Sequence, residues 1–430
     1  DSTGNPIDPV TSLAPLAGLT DVAVNLSISG TEIVDATGLE NVAHVGGNFS
    51  FGGNTSLTSI ALPALTSVGD LIVVNNAVLQ TATWPTGLTQ PGGFSFNDDP
   101  ALVDVGTLGN VVTTVGAAGI TFQNVSSLPR VDFPNLTSVN GSIIIDETAF
   151  DRVPDFPLLA TAGDLHIVKS AFVDAGSFPS LTQLGAVELR EDPNLATARF
   201  AGVANAPSLT ILDDAVFAPT TAMFPSTTSL STVTIAGYAG ADVALLTGTT
   251  AIEAFNFGIG TSLNLPNQTT SLHGLEAVTE FGTGGFGISN APQLTDLAAL
   301  DNLVDVRAGM SIGGIGASTI TLSSLTALSG ALQLFGNSSL SAFVAPSLHS
   351  YGGINVAQNF ALQTFITAPI DVGAQFDALI FDDTQVTALP DMSGVLDVLG
   401  AISIRGNTAL ADRGGLDGVV NAGDVDISFN

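Results

Sequence analysis

Short apolar-x-apolar runs recur along the whole chain, each preceded by a small turn and an apolar pair three residues apart. The segments "LTSVGDLIVVNNAVLQT" from Leu65, "LTSVNGSIIIDETAF" from Leu136, "LTQLGAVELREDPNLAT" from Leu181 and "LDVLGAISIRGNTALAD" from Leu396 show the pattern. Alternation with period two is that of a strand with one buried face. Let p be the first apolar residue of each such strand. It falls at Leu26, Phe49, Leu71, Phe94, Ile120, Ile143, Leu165, Val187, Leu209, Val233, Phe255, Phe286, Met310, Leu332, Ile354, Leu379, Ile402 and Val425. The 17 intervals between these 18 positions average about 23.5 residues, a period in the range of stacked solenoid repeats. The pattern predicts an all-β, right-handed parallel β-solenoid of about 18 turns of about 23 residues. It has a capping segment over residues 1–20, a single elongated repeat body over 21–430, and an irregular insertion near 240–285. The stretch "LNLPNQTTSLHGLEAVTEF" from Leu263 falls in that insertion and is apolar enough to pack on the coil.

Position p+5 carries a second signal. It is Asn or Asp at Asn54, Asn76, Asp99, Asp192, Asp214, Asn337, Asn359, Asn407 and Asn430, and all but the last have an apolar residue at p+8. Thr31, Thr148, Ser170 and Thr384 put a hydroxyl there instead, and the apolar residue then comes one position earlier. Two turn types are expected. A short polar side chain turned inward can bond the backbone groups that a bend leaves unpaired. Repeated on successive turns, these residues are expected to form a buried ladder rather than a ligand site.

The stretches "LPALTSVGDLIVVNNAVLQT" from Leu62, "FPNLTSVNGSIII" from Phe133 and "APSLHSYGGINVAQNFALQTF" from Ala345, with corner prolines at Pro63, Pro134, Pro179 and Pro346, resemble the receptor L-domain-like branch of the leucine-rich repeats. The resemblance runs from about residue 16 to 430. It departs in having no cysteine-rich caps and in the long interval from Phe255 to Phe286. It implies a coil of parallel strands with an extracellular binding or structural role.

Composition narrows the function classes. With 39 acidic and 8 basic residues the 430-residue chain has a net charge of −31, yet only 11% of it is charged and 45% is hydrophobic. A disordered acidic chain would be charge-dense and apolar-poor. One Lys and seven Arg leave no basic footprint for nucleic acid or for an anionic membrane surface. No apolar run approaches the roughly 20 residues needed to span a bilayer. The absence of Cys removes disulfides and thiolate chemistry. The first residue is Asp1 rather than Met, which is expected of a secreted chain whose signal peptide has been removed.

Candidate chemistry is sparse. His44, His166, His273 and His349 do not recur at the repeat offset, and no nucleophile or phosphate-loop motif is present. Glu191 and Asp192 lie one turn before Asp213 and Asp214, at the ends of consecutive strands. Four carboxylates there would repel one another, and a Ca²⁺ ion with oxygen ligands would relieve the repulsion. Solvated turn acids combined with ladder Asp account for the same residues, as they do for Asp98/Asp99, Asp146/Glu147 and Asp382/Asp383. No cofactor beyond such a Ca²⁺ is implied. Eight Asn-x-Ser/Thr sequons occur, including Asn25, Asn124, Asn135, Asn140 and Asn267, while Asn54 and Asn337 are expected to be buried. Trp84, Tyr238 and Tyr351 are too scattered to line a sugar site, and Thr-x-Thr ranks do not recur as an ice-binding face would need.

Two features point to association. Val425, Ile427 and Phe429 read as a strand with no cap beyond them, and an uncapped solenoid end exposes a strand edge. Residues 308–370 contain no Asp, Glu, Lys or Arg, and depletion of charge marks interface cores. The sequence therefore predicts a secreted, non-enzymatic surface protein with a structural or adhesive role. It would bind a protein partner or itself through these two regions, including end to end as a filament. The competing expectations are a ligand-binding receptor ectodomain and a carbohydrate-active β-helix enzyme.

Overall fold

The computed structural model describes residues 9–258, 267–412 and 414–430; the side chains of Ser177 and Gly414 lie outside the description. The chain is nearly all-β, a β-solenoid of parallel stacked coils. It divides into two compact units, Asp1–Asn205 and Ala206–Asn430.

Unit 1 stacks eight rung strands, namely β1 (Leu26–Ser29), β2 (Phe49–Gly52), β3 (Asp70–Val74), β4 (Gly93–Asn97), β5 (Gly119–Gln123), β6 (Ile143–Asp146), β7 (Thr161–Val168) and β8 (Gln183–Arg190). Every pairing is parallel and joins one p residue to the next. Leu26 pairs with Phe49, Phe49 with Leu71, Leu71 with Phe94, and so on to Leu165 with Val187. Unit 2 stacks β9 (Ser208–Leu212), β10 (Ser229–Ala236), β11 (Ala251–Phe257), β12 (Glu280–Ile288), β13 (Met310–Gly313), β14 (Ala331–Phe335), β15 (Gly353–Ala357), β16 (Leu379–Asp382), β17 (Ile402–Arg405) and β18 (Val425–Ser428). The same p-to-p register runs from Leu209–Val233 to Ile402–Val425. A one-residue slip would turn every p and p+2 side chain outward, so burial of that face sets the register. From Phe49 to Ile404 all residues at p and p+2 are buried.

Short parallel strands across the coil close the other wall. Asp174–Ser177 pairs with Thr197–Arg199, and Thr319–Thr321, Ala342–Ala345 and Thr364–Thr367 form a second ladder. The apolar residues expected after the turns, from Ile33 to Leu410, are buried in both turn types. In unit 1 a column of rings fills the corner. Phe133 stacks on Phe156 at 5.4 Å, Phe156 on Phe178 at 5.7 Å, and Phe178 lies 5.5 Å from Phe200. On the turn before the strands, glycines let neighbouring coils meet backbone to backbone. A Cβ on Gly163 would fall 2.6 Å from the carbonyl oxygen of Gly141.

Within the capping segment, residues 1–8 lie outside the description. Leu13 is buried and the Val10 carbonyl accepts the Glu32 N–H at 2.9 Å, while the other residues from 9 to 20 are mostly exposed. In the 240–285 stretch, residues 259–266, and with them Leu263, are outside the description. The rest is coil: Leu272, Leu275, Val278 and Phe281 are fully buried, and the Tyr238 carbonyl accepts the Gln268 N–H.

Candidate functional site

The p+5 residues form the expected ladder, and its geometry repeats. Each asparagine carboxamide reads the preceding coil in two directions. Its Oδ1 accepts the p+5 N–H of that coil, and its Nδ2 donates to the p+2 carbonyl. Asn54 accepts from the Thr31 N–H at 3.0 Å and the Thr31 hydroxyl at 2.7 Å, and donates to the Ile28 carbonyl at 3.0 Å. Asn76 accepts from the Asn54 N–H at 3.1 Å and donates to Phe51 at 3.1 Å. Asn337 accepts from Ile315 and Asn359 from Asn337, each at 3.1 Å, and they donate to Ile312 and Leu334. Asn407 serves Thr384 and Phe381, and Asn430 serves Asn407 and Ile404. Asp99 and Asp192 accept in the same way, from the N–H groups of Asn76 and Ser170 at 2.8 and 2.7 Å. Apart from the half-buried Asn430, all these Asn and Asp residues, Asp214 included, are fully buried.

One feature escaped the sequence reading. The residue before the ladder, p+4, is left-handed in every rung whose p+4 lies among the described residues. It is Gly at Gly30, Gly53, Gly237, Gly314, Gly336 and Gly406, and it is a non-glycine residue at Asn75, Asp98, Asn124, Glu147, Lys169, Glu191, Asp213, Asn290, Gln358, Asp383 and Phe429. Asn and Asp tolerate this region better than other side chains. That preference accounts for acidic pairs such as Asp98/Asp99 and Asp213/Asp214, where a bend residue precedes a ladder residue. The prevalence of Gly, Asn and Asp at p+4 was the legible signal.

The carboxylates proposed for Ca²⁺ are placed accordingly. In unit 1, Asp192 spends Oδ1 on the Ser170 N–H and Oδ2 on the Arg190 N–H at 3.1 Å, while Glu191 sits 3.8 Å from the Arg190 guanidinium. In unit 2, Asp213 is the left-handed residue, 3% exposed, and Asp214 is buried beside it. Among the described residues no group of three or more His, Asp or Glu is arranged to hold a metal ion.

The outward strand face differs between the units. In unit 1 it carries paired charge: His166 Nδ1 meets Glu188 at 2.6 Å, and Glu188 meets Arg190 at 3.1 Å. On the segments between the rung strands of the same unit, a recess of about 250 Å³ is lined by Asp104, Asn110, Arg130 and Asp132. Arg130 is clamped there by both Asp132 oxygens at 2.6 Å. Burial pushes the Asp132 carboxyl up, but Arg130 and the Asp155 N–H outweigh it and hold it below its usual value. In unit 2 the face from β11 to β15 presents Asn256, Ser311, Gln333 and Asn355 over a floor of Gly and Ala, forming a shallow groove of about 280 Å³ around β12–β14. Beside it Phe335 is 41% exposed, and its ring lies against Gly313.

Other sequence candidates are placed as follows. Trp84, Tyr238 and Tyr351 are buried. Ser271, His273 and Asp296 share a corner, but the Ser271 hydroxyl donates to Asp296, and His273 meets Ser271 through its backbone N–H while its ring pairs with Glu276. Among the sequons, Asn267 joins Asn54 and Asn337 as buried; its Oδ1 accepts the Tyr238 N–H at 3.1 Å. Val425, Ile427 and Phe429 are 58%, 44% and 86% exposed, and β18 pairs with β17. No helix is long and apolar enough to cross a membrane among the described residues.

No family model matches the chain. A search of curated proteins also finds no match. Among solved structures, the chain is similar to a leucine-rich repeat protein from Bacteroides ovatus, with 12% identity over 85% of this chain and 78% of that one and a TM-score of 0.28. At that score the likeness carries no weight for function.

Proposed function

We propose that this chain is an extracellular, non-enzymatic repeat protein that works by protein–protein contact, and that the contact is made on the uncharged strand face of unit 2. The observation that supports the reading is the row Ser311, Gln333 and Asn355 on neighbouring strands, inside residues 308–370, which hold no charge in a chain of net charge −31. Two acidic molecules repel wherever charged surfaces meet, and desolvating a charge is costly. A face of amides, hydroxyls and backbone avoids both costs. Its amides can bond a matching row, so the partner this surface suits best is a second copy of the same face.

Sedimentation over a range of concentrations, with electron microscopy of the same samples, tests it. Wild type is expected to associate, and Gln333→Glu combined with Asn355→Asp is expected to leave monomers with an unchanged circular dichroism spectrum. A wild-type monomer at the highest soluble concentration would overturn self-association. Association that survives the charged pair would move the contact elsewhere.

A further inference from the structure

In unit 1 two ladder positions, Asp99 and Asp192, hold an acid in place of the amide, and at Asp99 the exchange is left uncompensated. All six ladder asparagines donate Nδ2–H to the p+2 carbonyl of the preceding coil, at distances from 2.6 to 3.1 Å. At Asp99 the counterpart of that carbonyl is Val73, at p+2 of β3. Asp99 Oδ1 fills the accepting role, taking the Asn76 N–H at 2.8 Å and its Nδ2–H at 3.1 Å. Oδ2 takes the place of the donor, is fully buried, and has no hydrogen-bond partner. An ionised oxygen there sets lone pairs against the lone pairs of a carbonyl. Only a protonated carboxyl can donate.

The same exchange is compensated at Asp192, where Oδ2 accepts the Arg190 N–H from its own strand at 3.1 Å. At Asp99 the corresponding group is the Asn97 N–H, which pulls the carboxyl down but stays outside hydrogen-bond geometry to Oδ2, unlike the Arg190 N–H at Asp192. The next coil offers no amide either, because its p+5 residue is the buried Val125. We propose that Asp99 is a proton-binding site of the ladder, a neutral acid whose Oδ2–H donates to the Val73 carbonyl and completes the pattern that asparagine makes elsewhere.

The surroundings agree. Burial pushes the Asp99 carboxyl up to about 6 against the pull of Asn76 and of the Asn97 N–H, and Asp98 next to it adds to the rise. Facing it are Asn76 on the preceding coil, Asn97 and Asp98 on its own, and Val125 on the following one. Asp98 is the one charged group among them, and its Oδ1 accepts from Asn124. A carboxyl with a folded pKa above its unfolded value of 3.8 adds stability that is complete below 3.8 and is lost as pH rises through about 6. This one group therefore adds most to the stability of unit 1 in acid and least above about pH 6.

Asp99→Asn tests this, with urea unfolding followed by the buried Trp84, the single tryptophan of the chain, which lies 6.4 Å from Phe96 of β4. The variant is expected to be more stable than wild type at pH 7.5. That gain should shrink by about fiftyfold in the folding constant between pH 7 and pH 4. A carboxyl ¹³C titration, with Asp99 assigned by the signal missing from the variant, should show a midpoint well above the ordinary aspartate range. A wild-type-to-variant difference that does not change with pH, or a midpoint at or below the ordinary value, would overturn the assignment.

Discussion

The Asn76 carboxamide binds Asn54 twice: its Oδ1 accepts both the backbone N–H and the Nδ2–H of Asn54, each at 3.1 Å. Its own Nδ2 reaches the Phe51 carbonyl. One side chain thus satisfies the bend of the coil beneath it, in a place where water cannot.

Asn76→Ala leaves the Asn54 N–H and the Phe51 carbonyl buried without those partners. Unfilled buried groups cost about 1–3 kcal/mol each, so the expected loss is about 3 kcal/mol. Urea denaturation read at Trp84 measures it. A loss below about 1 kcal/mol would mean that the bends do not need the ladder.

The left-handed p+4 bend makes opposite predictions for two residues of unit 2. Gly336 has φ +62° and open space where a Cβ would sit, so Gly336→Ala tests backbone strain alone and should destabilise by about 1 kcal/mol. Gln358 adopts φ 58° with a side chain, and Gln358→Gly should stabilise by a similar amount. Thermal melts of the two variants against wild type check the pair, and shifts of the same sign would refute the bend argument.

Removing Phe156 opens the ring column between Phe133 and Phe178. Phe156→Ala is expected to cost about 3–5 kcal/mol, and Phe156→Leu less. Calorimetry distinguishes this from a surface effect, because the ring is 1% exposed.

Asp35 is held below its ordinary pKa by the backbone N–H and then the hydroxyl of Thr37, and Asp391 by the hydroxyl and then the N–H of Ser393. Their folded pKa values lie below the unfolded 3.8. Their contribution is therefore present above 3.8 and is lost as pH falls through the folded values. Replacing both by Asn keeps an oxygen acceptor but removes the titration. The double variant should lose less stability than wild type on going from pH 5 to pH 3. Parallel acid limbs for the two proteins would contradict these assignments.

The repeat was legible because burial acts on every turn alike. Each p residue named from apolar alternation lies in a rung strand, and the Asn and Asp at p+5 lie where their spacing put them. What one turn requires, the next repeats, so periodicity alone located Leu71, Asn76 and Leu79 in a single coil. Tertiary structure decided the rest. Glu191 and Asp213 read in the sequence as acids at strand ends, and the structure adds that both are left-handed bend residues, because φ is not written in side-chain type. Asp99 and Asn76 occupy equivalent positions, yet they differ in what faces them, because the Val73 carbonyl and the missing amide at Val125 belong to other coils. The sequence by itself determined period, register and interior, since those follow from which residues must leave water. Which ladder groups are satisfied, and which acid needs a proton, was decided only by stacking, because the asparagine ladder bonds join coils more than 20 residues apart.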